Sequence, residues 1–156
     1  NRIKSLAEVE AEDIDFLQNI NLKAPFLIMK ELIPKMAKNN WGRVINIGSI
    51  FGVISKSKRA LYSSTKHGLH GLSIAAGLEY GHQGVLINTV SPGFTETELT
   101  KNSLSPSELA SLIEEVPVKR MAQPEDIANL VLFLASDLNN YINGQNIVID
   151  GGFICS

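Results

Sequence analysis

The stretch Val85-Leu86-Ile87-Asn88-Thr89-Val90 is followed at once by Ser91-Pro92-Gly93. It is too short and too rich in β-branched side chains for a helix, and Pro-Gly stops it, so it predicts a buried β-strand. Val44–Gly48 and Asn146–Ile149 have the same character. The sequence therefore predicts three buried strands.

Helical patterns lie before and between these strands. Over residues 12–38 apolar side chains recur near the helical period, and Pro25 and Pro34 interrupt them, which predicts one long helix with a bend. A second helix is marked by Leu61, Leu69, Leu72 and Ala76 and closes at Gly81.

Two more helices are predicted between the second and third strands. Ser105-Pro106-Ser107-Glu108 has the form of a capping box, so a short helix should run from there through Glu114. The next helix should begin at Pro124, with its apolar face formed by Ile127, Leu130, Val131 and Leu134. Alternating helices and strands indicate an α/β protein with a parallel sheet.

A sheet of three strands is small, and its first strand would leave an exposed edge. The sequence lacks a Gly-rich strand-to-helix turn of the dinucleotide-binding kind, since Gly48–Gly52 follows a strand but leads into a polar loop. We therefore expect the phosphate-binding half of such a sheet to be missing from this chain.

Composition excludes several classes of function. A net charge of -2, with 14 Lys and Arg scattered along the chain, leaves no basic surface for a nucleic-acid backbone. No apolar run reaches the ~18 residues of a membrane span, and the N-terminus lacks the layout of a signal peptide. Cys155 has neither a disulfide partner nor neighbouring metal ligands. We expect a cytoplasmic protein with no metal site.

In a parallel α/β sheet, ligands bind at the carboxyl ends of the strands. The residues that follow the predicted strands are Ser49, Ser91-Pro92-Gly93 and Gly151-Gly152. Tyr62 and Lys66 lie four residues apart, and therefore on one helix face. A free phenol has a pKa of ~10 and a nearby ammonium favours the phenolate, so this pair could exchange a proton near neutral pH.

A Tyr and a Lys at this spacing are common on exposed helices, so the pair alone is a weak signal. The combination with Ser49, thirteen residues before Tyr62, and with the strand end Pro92–Thr97 is more specific. With these features the sequence resembles the classical short-chain dehydrogenase/reductase family along its whole length. The resemblance is carried by Asn21–Phe26, Gly42–Ser49, Tyr62–Lys66, Ile87–Gly93 and Asp150–Gly152.

The resemblance implies a Rossmann-type doubly wound parallel sheet, with residues 1–156 as the C-terminal part of a single domain. It also implies an NAD(P)-dependent oxidoreductase that moves a hydride between the nicotinamide cofactor and a ketone or secondary alcohol. The family's glycine-rich phosphate turn and Asn-Asn-Ala-Gly strand end would lie before Asn1. The residue that separates NAD from NADP lies in that same half, so the sequence does not distinguish the two cofactors.

By the same resemblance, Tyr62 is the catalytic acid/base, and Ser49 orients and polarises the substrate carbonyl or hydroxyl. Lys66 would hold the nicotinamide ribose and favour ionisation of Tyr62, while Asn21 would complete a tetrad. Besides Tyr62 and Lys66, the cofactor contacts correspond to Pro92, Gly93, the backbone of Thr95 and the side chain of Thr97.

Asn21 also has a physical interpretation. In a continuous helix its carbonyl would accept from the amide of residue 25, but Pro25 has no N–H. The released carbonyl could hold a water that, as the resemblance implies, links Lys66 to solvent so that Tyr62 is reprotonated. Alternatively, Pro25 only bends the helix around the core.

Three glycines in the Tyr62 helix, Gly68, Gly71 and Gly77, predict close packing against another helix. In this family that helix and the one before it usually form the subunit interface, so a homo-oligomer is expected. The alternative is packing onto the chain's own sheet. His67 and His70 lack a third ligand and are expected at the surface.

Apolar residues between the Pro92-Gly93 turn and the Pro124 helix lie where the family has a mobile substrate lid, and ordinary core is the alternative. They are Leu99, Leu104, Leu109, Leu112 and Ile113.

We expect the substrate to be a small carbonyl or alcohol compound, and two chemical classes of substrate are considered. Ser91–Thr97 and Val116–Arg120 look most like 3-oxoacyl carrier-protein reductases, which act on a 3-oxoacyl thioester. However, Asn40 and Gln83 stand where those enzymes usually have arginines for the acidic carrier. A sugar, polyol or hydroxy-acid dehydrogenase is therefore an alternative. A second alternative is a catalytically silent scaffold of the same fold, but such a protein should have lost tetrad residues, and all four are present here. A third is a nucleotide-sugar epimerase of the family's extended branch, which usually continues past the position of Gly152 into a larger substrate domain.

Overall fold

The computed structural model describes residues 3–98, 100 and 105–156. Its main elements are α1 (Ala11–Gln18), α2 (Ala24–Lys38), β1 (Gly42–Ile47), α3 (Ala60–Tyr80), β2 (Val85–Pro92), α4 (Pro106–Glu115), α5 (Pro124–Ala135) and β3 (Asn146–Ile149). Helices and strands follow in the predicted order, and the predicted α/β class is confirmed.

The described residues form one sheet of three parallel strands in the order β1-β2-β3. β1 pairs with β2 from Gly42 opposite Val85, and β2 pairs with β3 from Thr89 opposite Asn146. Within the described residues β1 is paired on one side only, which agrees with the predicted exposed edge, and Ile47 is 47% exposed. Because all three strands run in one direction, their carboxyl ends share one edge of the sheet.

β2 is the most deeply buried element of the sheet. Val85 and Ile87 expose none of their surface. They pack against an apolar cluster from α2 and α3 that contains Met29, Ile33, Ala37 and Ala76. Since a fully buried aliphatic side chain contributes about 1.5–3 kcal/mol relative to an exposed one, this layer holds the two helices onto the sheet.

Polar side chains of β2 join it to the segment that contains β3. Asn88 Nδ2 donates to the carbonyl of Ile142 at 2.8 Å, and its Oδ1 accepts from the amide of Gln145 at 3.0 Å. Ser91 Oγ donates to Asn146 Oδ1 at 2.6 Å. An unpaired buried polar group costs about 1–3 kcal/mol, so these bonds favour one register of β3 over its alternatives.

The long first helix is interrupted differently from the prediction. A π-helical segment, Asn19–Lys23, separates α1 from α2, and the amide of Ala24 donates to the carbonyl of Asn19 five residues earlier. The predicted bend thus coincides with a local widening of the helix directly before Pro25. Pro34 interrupts the apolar pattern but not the helix, because α2 continues through this residue to Lys38, where the predicted helix ends.

α3 ends at Tyr80, so the predicted closure at Gly81 is confirmed, although Gly81 keeps a right-handed conformation with φ −58°. A 3₁₀ turn, Gly81–Gln83, follows it, and Gly84 takes φ +75°. A Cβ atom on Gly84 would overlap the carbonyl oxygen of Asn40. The connection between α3 and β2 therefore requires a glycine at position 84, directly before β2.

The predicted capping box is confirmed at the start of α4. Ser105 Oγ accepts from the amide of Glu108 at 3.3 Å, and Glu108 Oε2 accepts from the amide of Ser105 at 2.8 Å. α5 begins at the predicted Pro124 and buries Leu134 completely. None of the described helices is both long and apolar enough to cross a membrane.

The five apolar residues between the Pro92-Gly93 turn and α5 were predicted to form either a substrate lid or ordinary core, and the structure does not decide between the two. Leu99 and Leu104 lie outside the described residues. Leu109, Leu112 and Ile113 are half-buried on α4. Both interpretations remain predictions.

The connection at Gly84 yields a stability prediction. Gly84→Ala should lower the free energy of unfolding of the full protein by about 1–3 kcal/mol from the left-handed conformation alone, with a further loss from the clash with Asn40. Gly68→Ala is the matched control, because its Cβ would make only ordinary contact with Leu22 and a helical alanine gains about 1 kcal/mol over glycine. Urea unfolding of both variants tests this, and equal stabilities would contradict it.

Candidate functional site

Ser49 lies directly beyond the end of β1. The amide of Gly48 donates to the carbonyl of Val90 at 2.7 Å, after which the chain enters a buried 3₁₀ turn, Ile50–Gly52, where a polar loop was expected. Ser49 is 8% exposed, and its Oγ accepts from the amide of Phe51 at 3.2 Å. Since the hydroxyl oxygen is used as an acceptor, its proton can be donated to another group.

Tyr62 and Lys66 lie one turn apart on α3, as predicted. Lys66 Nζ is 5.8 Å from the centroid of the Tyr62 ring and donates to the carbonyl of Ile47 at 2.8 Å. Burial lowers the pKa of Lys66 below its usual value of 10.5, because desolvation disfavours the ammonium. An ammonium has three N–H donors, so two remain after the bond to Ile47.

The turn after Ser49 and helix α3 come close together at Gly52. A Cβ atom on Gly52 would lie 3.1 Å from Lys66 Cβ and 3.2 Å from the carbonyl of Lys66. The ring of Phe51, next to Gly52, contacts the Tyr62 ring edge-to-face with centroids 6.5 Å apart. These contacts bring Ser49, Tyr62 and Lys66 together at the carboxyl end of β1.

Asn21 is joined to the same part of α3 by a hydrogen bond. Its Nδ2 donates to Thr65 Oγ1 at 3.1 Å, and Thr65 Oγ1 in turn donates to the carbonyl of Tyr62 at 2.8 Å. Thr65 is 2% exposed. Asn21 itself lies within the π-helical segment. The water-holding role suggested for its carbonyl stays a prediction.

The segment proposed to contact nicotinamide begins at the end of β2. Pro92 is the last residue of that strand. The amide of Gly93 donates to the carbonyl of Ile149 at the end of β3, and a Cβ atom on Gly93 would be 2.7 Å from Cβ of Asp150, the next residue. Thr95 Oγ1 donates to the carbonyl of Gly93 at 3.3 Å, and Thr97 is exposed beyond it. All four residues therefore follow the strand end that neighbours Ser49.

Aromatic side chains form an apolar wall across the three strand ends. Phe51 and Phe94 meet edge-to-face at 6.5 Å, and Phe94 and Phe153 meet at 5.0 Å. Sequence reasoning missed this wall, although each phenylalanine follows a strand end by four residues or fewer. It also missed Thr65, for which no local signal exists because its partner Asn21 lies 44 residues away.

The two histidines differ from each other. His67 is exposed, as expected, and its Nδ1 lies 2.9 Å from the carbonyl of Ser63. The surface prediction is wrong for His70, which is half-buried, and burial followed by the charge of His67 lowers its pKa. Across the ranges that the structure describes, no three His, Cys, Asp or Glu side chains are grouped as metal ligands.

Two of the three α3 glycines pack against the chain itself. A Cβ on Gly68 would be 3.4 Å from the Leu22 side chain, and one on Gly77 would be 2.8 Å from Asn143 Oδ1. Gly71 faces open space within the described residues. Packing inside the chain thus accounts for Gly68 and Gly77 but not for Gly71.

Comparison with known proteins identifies the family. A family model described as enoyl-(acyl carrier protein) reductase matches residues 1–154. The 3-oxoacyl-[acyl-carrier-protein] reductase FabG of Rickettsia felis is 39% identical over 143 residues, which are 92% of this chain and 59% of that protein. The structure of ElxO with NADP bound superposes with a TM-score of 0.93 at 31% identity, covering 100% of this chain and 64% of that one.

A 4-hydroxyisoleucine dehydrogenase mutant complexed with NADH and succinate also superposes with a TM-score of 0.93, at 32% identity, covering 99% of this chain and 65% of that one. The chain therefore belongs to the short-chain dehydrogenase/reductase family, as the motifs predicted, and has its Rossmann-type fold. It spans about three fifths of the length of the curated relatives that it matches.

The Asn21–Thr65 bond can be measured by a double-mutant cycle in the full protein. Asn21→Ala and Thr65→Val each remove one partner, and the double variant should be less destabilised than the sum of the two by about 0.5–1.5 kcal/mol. Urea unfolding gives the change in free energy of unfolding for each of the three variants relative to the wild type. The same cycle with Thr65→Val and Tyr80→Phe should be additive, since no contact joins that pair. Additivity of the first cycle would contradict the structural role given to this bond.

Proposed function

We propose that the protein containing this chain is an NAD(P)-dependent oxidoreductase that transfers a hydride between a nicotinamide cofactor and a ketone or secondary alcohol. The observation that carries the proposal is the meeting of Ser49, Tyr62 and Lys66 at the carboxyl end of β1, held by the close approach at Gly52. Relatives named as reductases and dehydrogenases, and structural neighbours with NADP or NADH, support it.

The residues at this site fit a nicotinamide nucleoside. Ribose hydroxyls need both donors and acceptors, which the Lys66 ammonium and the Tyr62 phenol supply. Tyr62 and Lys66 would hold the ribose, and the nicotinamide would be held by Pro92, Gly93, Thr95 and Thr97. Bound there, the nicotinamide would supply or accept the hydride. The described residues suit NAD and NADP equally, so the proposal includes both.

The chain's own residues would handle the proton. In the reducing direction Tyr62 Oη donates its proton to the carbonyl oxygen of the substrate, and in the oxidising direction it accepts the proton of the alcohol. Ser49 Oγ donates a hydrogen bond to the same oxygen. The Lys66 charge stabilises the phenolate, and Asn21 completes the route by which the phenol is reprotonated.

Two substrate classes stand within this proposal. The Rickettsia felis relative is named for a 3-oxoacyl substrate, and the apolar wall of Phe51, Phe94 and Phe153 would suit an acyl chain. A hydroxy-acid or sugar substrate is the alternative, favoured by Asn40 and Gln83 in place of carrier-binding arginines. The complete tetrad argues against a catalytically silent scaffold.

Location and assembly also belong to the proposal. We place the enzyme in the cytoplasm and expect a homo-oligomer. Exposed apolar side chains of α2 and α3 support a subunit contact there: Phe26, Leu27, Ile28, Leu32, Ile74 and Leu78. Gly71, whose Cβ position is open, lies on the same helix as the last two.

Tyr62→Phe tests the proton-transfer role. Turnover should fall by about 10²–10⁴-fold, because the proton donor is lost while the ring contact with Phe51 is kept. Ser49→Ala should also lower kcat severely and should change cofactor binding, followed by fluorescence titration, very little. Tyr62→Phe loses one proposed ribose contact, so it should weaken cofactor binding by only about 2- to 10-fold, far less than its effect on turnover. Tyr80→Phe on the same helix is the control and should keep full activity. A Tyr62→Phe enzyme with near-normal rate on the best ketone found would refute the assignment.

Lys66→Met separates the two roles proposed for this side chain. Loss of the ribose donors should raise the KM for cofactor, and loss of the charge should make the phenol harder to ionise. At saturating cofactor, the ascending limb of the pH–rate profile for alcohol oxidation, along which the phenol loses its proton, should therefore move to higher pH. Lys56→Met, which removes an exposed charge, should leave the profile in place. A profile unmoved by Lys66→Met would limit Lys66 to anchoring the cofactor.

A further inference from the structure

Arg59 is a second cation on the face of α3 that carries Tyr62. It is the N-cap residue of the helix and lies three positions before Tyr62. Its guanidinium carbon lies 5.3 Å from the centroid of the Phe51 ring. Phe51 is the same residue whose amide donates to Ser49 Oγ and whose ring contacts Tyr62. Phe51 therefore links Arg59 to both Ser49 and Tyr62.

This guanidinium has no counter-charge in the described part of the chain. Its Nη1 is buried and makes no hydrogen bond to any described residue. Burial lowers the pKa of Arg59 below its usual range, and Tyr62 is the one ionisable group found to act in the opposite direction. Buried donors and half-buried charges are ordinarily paired, since an unpaired one costs free energy. An acceptor that carries negative charge would satisfy both the unbonded donor and the unpaired cation.

We propose that Arg59 binds a carboxylate group of the substrate, so that the carbonyl compound reduced at this site is an oxo acid and the alcohol oxidised is a hydroxy acid. The inference rests on the proposed function and narrows its substrate class. A guanidinium donates two parallel N–H bonds to a carboxylate, which a neutral ester or thioester cannot accept with equal strength. The Phe51 ring, whose centroid is 5.3 Å from the guanidinium carbon, places this cation next to Ser49 and Tyr62.

The surroundings of Arg59 also favour a carboxylate over a neutral ester. The wall of Phe51, Phe94 and Phe153 has no side-chain hydrogen-bond donor, so a carboxylate beside it would take its hydrogen bonds from Arg59 and not from the wall. A methyl ester would offer the buried Nη1 donor only an uncharged oxygen, which is a weaker acceptor than a carboxylate. We therefore expect the site to discriminate between an acid and its ester.

The experiment measures kcat/KM of the full enzyme with NADPH and NADH for pyruvate, acetoacetate and levulinate, each beside its methyl ester. The wild type should prefer at least one acid over its ester. Arg59→Gln should lower kcat/KM for that acid by about 10- to 150-fold, the loss of a charged hydrogen bond, and should change the ester rate little. Arg59→Lys should recover only part of the loss. Lys56→Gln, which removes an exposed charge three residues earlier, should keep the wild-type preference.

Three results would overturn the inference. The wild type could prefer the esters, the acid-to-ester ratio could survive Arg59→Gln, or acid and ester rates could fall together, which would mean that Arg59 supports the helix or the phenol instead. A wild type active on esters without preference refutes the carboxylate site and leaves the oxidoreductase proposal intact.

A wild type inactive on every carbonyl compound refutes the proposed function, and binding then decides the question for Arg59. Levulinate should raise the melting temperature of the NADPH-loaded wild type, and neither methyl levulinate on the wild type nor levulinate on Arg59→Gln should do so. Equal shifts from levulinate in the wild type and Arg59→Gln would overturn the carboxylate site without reference to turnover.

Discussion

The site depends first on the parallel pairing of β2 with β1 on one side and β3 on the other. β2 is buried along most of its length, and its polar side chains are paired with the segments that flank it. Parallel pairing sends all three carboxyl ends to one edge, where Ser49, Gly93 and Asp150 follow their strands. Residues far apart in the chain meet there because the register of one buried strand fixes the positions of both neighbours.

Helix α3 supplies the second half of the site, and its position relative to the sheet is set by close contacts. Its apolar face packs on β2, while Gly52 allows the turn after β1 to reach the backbone of Lys66. The Lys66 ammonium adds a hydrogen bond to the last carbonyl of β1. The same side chain thus stabilises the junction of strand and helix and carries the charge beside Tyr62.

Charge is distributed unevenly around the phenol. Arg59 and Lys66 lie before and after Tyr62 on α3, and burial lowers the pKa of both because desolvation disfavours each cation. The aromatic wall that contacts Tyr62 and Arg59 through Phe51 contributes no charge. A site of this kind favours ligands and intermediates that bear negative charge, whether on the phenolate or on a bound molecule.

The sequence by itself determined the α/β class, the three strands, the capping box at Ser105 and the Tyr62–Lys66 pair, because each of these depends on local composition or on spacing within one element. Its motifs also determined the family. The tertiary structure decided the π-helical segment around Asn21, the Asn21–Thr65 bond and the close approach at Gly52. It also decided that the Arg59 guanidinium lies against Phe51 without a counter-charge among the described residues. These features join residues from different elements, so they depend on packing geometry that local sequence patterns do not contain.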